Sequence, residues 1–166
     1  KFKKFFSKKV RIIDCTFGIK TSLKDRIEAI REETETAVRE GSTSLILSDK
    51  NISNERASIP SILTVGAVHS HLVKHGLRGY CSLNVECSDA LDTHSFAVLI
   101  GVGATTINPY LAIDSIYQRF EKKLFGKSDF ENCVIRFKKS IDAGLLKIMS
   151  KMGISVISSY RGGCNF

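Results

Sequence analysis

His71 and His75 stand four residues apart in SHLVKHG, the spacing at which two imidazoles on one helical face can share a divalent cation. A site needs more donors than that. No Glu lies between them, as the H-E-x-x-H motif would require, and His69 points elsewhere on the helix. Taken alone, the pair reads as surface or interdomain histidines. A second group comes from the carboxyl ends of strand-like runs, where ligands gather in α/β folds: Asp14, Asp49, Lys50, Glu86, Asn108 and Tyr160. The carboxylates in that group suit general acids, bases or metal ligands. They equally suit helix caps and ion pairs, and their spacing matches no catalytic motif. Gly101-x-Gly103 ends a helix instead of following a strand, and Thr106 occupies the third glycine position, so it is no dinucleotide fingerprint.

The elements that must position these residues follow one another closely over residues 59–112. Ser58 and Pro60 predict a helix start and Gly76 its end, with Leu63, Ala67, Val68 and Leu72 as the inward stripe. Residues 80–86 predict a strand in which Leu83 and Val85 alternate with Ser82 and Asn84. Asp92 opens the next helix and Gly103 closes it. Residues 105–107 form a short strand that runs into Asn108-Pro109 and a helix over 111–120.

Upstream, VRIIDCT (10–16) predicts a buried strand. Ser22-x-x-Asp25 resembles a capping box for a helix with Leu23, Ile27, Ile30, Thr34 and Ala37 inward, ended by Gly41. Residues 45–47 form the second strand, and 49–57 a polar loop. Downstream, Ser128-x-x-Glu131 is a capping box for a long helix that Gly144 could kink and Gly153 closes, and ISVIS (154–158) is a final strand. Five strands separated by helices imply an α/β fold with a mostly parallel sheet of repeated βα units. Both a partial (β/α) barrel and an open doubly wound sheet satisfy that pattern.

Composition removes several classes. With 166 residues and 43% hydrophobic content the chain holds one sizeable core. Its longest apolar run, 96–104, is well short of the roughly 20 residues that a membrane helix needs. Five scattered cysteines without a C-x-x-C pair indicate neither a disulfide framework nor a zinc ribbon and fit a reducing cytoplasm. The net charge of +8 is concentrated at the start, where six cations interleave with Phe2, Phe5 and Phe6, so it reads as a solvated connecting arm and not as a nucleic-acid face. The start at Lys1 and the stop at Phe166, directly after Arg161-Gly162-Gly163-Cys164-Asn165, suggest a piece of a longer chain.

Four strings carry a resemblance: TSLILSDKNI, IPSILTVGAVHSHLVKHGLR, SLNVECSDALDTHSFAVLIGVGATTINPYLA and GLLKIMSKMGISVISSYRG. Together they are similar to the central region of glutamate synthase large (alpha) chains, collinear over residues 10–166, with KIMSKMGIS (147–155) the most specific stretch. The resemblance implies a degenerate, TIM-like (β/α) barrel. It implies an enzyme in which an amidotransferase domain releases ammonia from glutamine. A tunnel carries the ammonia to an FMN barrel, where it condenses with 2-oxoglutarate and the imine is reduced to glutamate. Electrons would arrive through an iron–sulfur cluster from a small electron-donating subunit or ferredoxin. It implies that residues 1–127 end the central domain and that 128–166 lead into the FMN-binding barrel. The partners implied are the other domains of the same polypeptide, with no nucleic acid and no membrane.

The same resemblance places no catalytic, cofactor or metal residue on this chain. The family's amidotransferase needs an N-terminal Cys where this chain has Lys1, its cluster cysteines are grouped where these are dispersed, and its flavin site lies beyond Phe166. The segment is thus expected to be inactive alone and to bind neither FMN nor the cluster. The alternative is a free-standing α/β ligand-binding or interaction module that keeps the central-domain fold.

Overall fold

The Ser22 side chain accepts a hydrogen bond from the Asp25 N–H at 3.4 Å and opens helix α1 (Leu23–Arg39). Ile30, Thr34, Ala37 and Val38 are buried along it, and Gly41, at φ +93°, turns the chain away. The computed structural model describes residues 9–163. Residues 1–8 of the basic arm and Cys164 lie outside them, whereas Arg11 of that arm stands in the first strand and donates to Glu40 Oε2 at 2.9 Å.

Strands β1 (Val10–Asp14), β3 (Ser44–Ser48), β5 (Ser82–Cys87) and β6 (Thr106–Pro109) form one parallel sheet in that order. A separate antiparallel ribbon pairs β2 (Thr16–Gly18) with β4 (Arg56–Ser58). Helices α1, α2 (Ser61–Lys74) and α3 (Thr93–Gly101) are the three crossovers, and α4 (Tyr110–Glu121), α5 (Phe130–Lys151) and a four-residue α6 (Ile157–Tyr160) follow. The strands lie side by side in chain order, so the sheet has no point at which that order reverses. Connections of one hand then put all three crossovers on one face, in agreement with the packing of α1 on α2 and of α2 on α3.

Register and alternation give the sheet two unlike faces. Ile13, Leu47, Val85 and Ile107 lie in one row and Leu45 and Leu83 in another; they meet the helices and make the main core with Ile30, Val65, Val68 and Leu72. The other face is largely polar. Thr106 Oγ1 donates to Asn84 Oδ1 at 2.7 Å, and Asn84 Nδ2 donates to Ser44 Oγ at 2.8 Å. A second row on that face is Asp14, Ser48, Glu86 and Asn108.

Several expectations are corrected. Residues 154–158 are not a strand: Ile154 N–H bonds to the Met149 carbonyl at 2.9 Å, Val156 precedes α6, and Tyr160 packs with Ala97 and Met149. Ile154 is half-buried while Val156 and Ile157 are exposed, and among the described residues no strand pairs with this segment. Ser58 does not cap α2 but pairs with Thr16 in the ribbon; Asp89 accepts from Ser61 N–H at 2.9 Å in its place. The buried stripe of α2 is Ser61, Thr64, Val65, Val68 and Leu72, which leaves Leu63 46% exposed. The long helix α5 is capped by Asp129, one residue after Ser128, and runs unbroken through Gly144, where Thr93 fills the space of a side chain.

Candidate functional site

Parallel strands of similar length end together, so β1, β3 and β5 bring Asp14, Asp49 and Glu86 to one edge of the sheet. Glu86 is buried on β5. Ser48 Oγ donates to its Oε2 at 2.8 Å and Asn108 Nδ2 to its Oε1 at 3.3 Å, while Lys50 Nζ lies 2.9 Å from Oε1. The same ammonium sits 5.1 Å from the centroid of the Tyr110 ring. Asp49, 3% exposed, accepts from Ser88 N–H at 2.9 Å and from Ser88 Oγ at 2.7 Å. Burial, reinforced by the Asp49 carboxylate, pushes the Tyr110 hydroxyl up to about 12, so it stays protonated beside that acid.

Asp14 joins a neighbouring group at the root of the ribbon. Thr16 N–H and Oγ1 donate to its Oδ1 at 2.9 and 2.7 Å, and Arg56 Nη2 donates to Oδ2 at 2.9 Å. Burial acts to raise this carboxyl, but the hydrogen bonds from Thr16 and Asn51 and the Arg56 charge outweigh it and hold it below the usual range. Arg56 was missed in the sequence because three-residue strands carry no periodic signal.

The structure therefore brings Asp49, Lys50, Glu86 and Asn108 together, sets Asp14 apart with Arg56, and removes Tyr160 to the α3–α5 side. Each carboxylate in these groups accepts from protein donors through at least one oxygen, Asp49 through Oδ2 while its buried Oδ1 has no hydrogen-bond partner among the described residues. Cys15, Cys81 and Cys87 make poor nucleophiles: burial pushes Cys15 and Cys87 up to about 12 and raises Cys81. The arrangement acts as a lock that ties the strand ends to the loops after them.

The histidines separate. His69 accepts from Arg78 Nε at 3.1 Å, while His71 and His75 face α1, where His71 Nε2 lies 2.7 Å from Glu35 Oε2. Glu35 comes from a segment 36 residues away, so no local motif revealed it.

Among the described residues no helix is long and apolar enough to cross a membrane. A family model described as the glutamate synthase central domain matches residues 1–166. The chain is 57% identical over 157 residues to the glutamate synthase [NADPH] large chain of Azospirillum brasilense, with 93% of this chain and 10% of that protein covered. It is 43% identical to the ferredoxin-dependent glutamate synthase of Pyropia yezoensis (85% and 10% covered) and 42% identical to the glutamate synthase [NADPH] large chain of Bacillus subtilis (90% and 10% covered). The chain thus spans about a tenth of the length of these relatives. The family model matches the whole chain and these relatives align over 85–93% of it: the chain belongs to the glutamate synthase central domains.

Proposed function

We propose that this chain is the scaffold segment of a glutamate synthase polypeptide, joining the site that frees ammonia from glutamine to the site where 2-oxoglutarate is aminated and reduced. The observation that carries the reading is the 57% identity over 93% of the chain to a relative of which it makes up only 10%. In that assembly residues 1–127 end the central domain and 128–166 run on toward the FMN barrel. The polar sheet face, ordered like part of a (β/α) barrel, suits packing against further strands. The whole enzyme works in the cytoplasm with FMN, an iron–sulfur cluster and an electron-donating subunit or ferredoxin.

The residues described do not fit either redox group. Cys15, Cys81, Cys87 and Cys133 are each buried, and among the described residues they form no cluster of metal-ligating groups. Gly103 sits at a helix end with the His69 ring against it and leaves no phosphate cradle. No step of the reaction is therefore assigned to this chain.

An immunoblot of source cells with an antibody to this chain tests the proposal. A band about tenfold larger than 18.4 kDa is expected, from the share of its relatives that the chain covers. A band at 18.4 kDa, or stoichiometric FMN on the purified chain, would overturn it and favour a free-standing module.

A further inference from the structure

The packing of α1 on α2 sets one ligand atom each of Glu35, His71 and His75 within 4.8 Å of one another. The carboxylate is divided between two tasks. Its Oε1 accepts from Arg39 Nε at 2.9 Å and lies 2.7 Å from Arg39 Nη2, while Oε2 is turned to the histidines, 2.7 Å from His71 Nε2 and 3.8 Å from His75 Nδ1. A tetrahedral ion with bonds of about 2.0–2.1 Å sets its donors about 3.3 Å apart. The two separations lie on either side of that spacing, so small side-chain shifts suffice.

The two rings lie 4.3 Å apart between centroids. His75 Nδ1, the nitrogen of that ring turned to Glu35, is also 2.8 Å from the His71 carbonyl. To ligate an ion beside Glu35 it gives up that carbonyl, and the ring carries its proton on Nε2. The side chains of Glu35, His71 and His75 are 22%, 18% and 34% exposed, so the cluster is partly exposed. Two imidazoles and one carboxylate select borderline ions over magnesium or calcium. Arg39 offsets part of the Glu35 charge, which moderates the affinity.

We propose that Glu35, His71 and His75 form a zinc-type divalent cation site that clamps α1 to α2. Neither the family match nor any strand-end group assigns a role to these three residues.

The test is zinc uptake by the intact purified polypeptide after chelator treatment, by equilibrium dialysis against Zn²⁺ alone, for the wild type, Glu35→Gln and His75→Gln. His75 is at the exposed end of α2, so its replacement leaves the fold intact. The wild type should bind one more zinc per chain than either variant. Each variant should lose roughly tenfold or more in affinity at this site, since even changes one shell further out weaken metal sites by about that factor. Added Zn²⁺ should raise the thermal midpoint of the wild type and not that of His75→Gln. Equal zinc uptake and equal midpoint shifts in the wild type and His75→Gln would overturn the proposal and leave Glu35–His71 as a plain interhelical hydrogen bond.

Discussion

The ring of His69 lies against the backbone of Gly103, so close that a Cβ built on Gly103 would fall 2.3 Å from His69 Nδ1. Gly162 covers the same ring, its Cβ position lying 2.8 Å from His69 Cε1, and Gly162 N–H bonds to the Ile100 carbonyl at 3.1 Å. One histidine on α2 thus wedges the end of α3 against the carboxy-terminal segment. Gly103→Ala meets both this wedge and a φ of +119°, whereas Gly41→Ala meets only a φ of +93° in open space. Urea titration should show Gly103→Ala losing about 2–4 kcal/mol and Gly41→Ala about 1–2 kcal/mol. Equal losses would mean that His69 moves aside freely.

His69 should also make stability fall in mild acid. Burial, and secondarily the Arg78 charge, lowers its pKa, and its Nδ1 accepts from Arg78 Nε, so the folded state holds it neutral. The unfolded chain then binds a proton that the folded chain refuses. This contribution to stability is complete above the unfolded value of about 6.5 and is lost as the pH falls toward the depressed folded value. Denaturation midpoints at pH 7 and pH 5 should differ more in the wild type than in His69→Gln. An identical pH dependence in the two would count against this role.

Core truncation should follow the observed stripe of α2. Leu72 is fully buried and Leu63 is 46% exposed. Leu72→Ala is expected to cost about 2–5 kcal/mol and Leu63→Ala under about 1 kcal/mol, read from unfolding midpoints. A reversed ranking would show that another surface covers Leu63.

Thiol labelling offers a check on the sheet end. Cys15 and Cys87 are 4% and 1% exposed, with thiols pushed up to about 12 by burial. Iodoacetamide at neutral pH should leave both unmodified in the native chain and modify both in denaturant, as read by peptide mass mapping. Rapid native labelling of either would mean that the lock around Asp49 and Glu86 opens readily.

Local chemistry was readable wherever one side chain decides the outcome. Ser22 and Asp92 cap their helices as their types suggest, Gly41, Gly76 and Gly153 end helices at positive φ, and Leu83 and Val85 alternate with Ser82 and Asn84 across the sheet. The strand-end group was legible in part, because Asp49, Lys50, Glu86 and Asn108 follow from strand position alone. Tyr160 did not, because ISVIS has the composition of a strand, yet no strand among the described residues pairs with it. The ribbon was invisible too, since three residues are too few to show a period and its anchor, Arg56, reaches Asp14 across 42 positions.

The sequence by itself determined the alternation of strands and helices, the caps and the family, because these rest on contacts within a few residues or on strings long enough to be specific. Only the tertiary structure decided the order of the strands, the polar second face of the sheet, the phase of the α2 stripe and the meeting of Glu35 with His71 and His75. Those depend on which helix lies against which, and a distance of 2.7 Å between residues 36 apart in the chain is set by packing that no local pattern encodes.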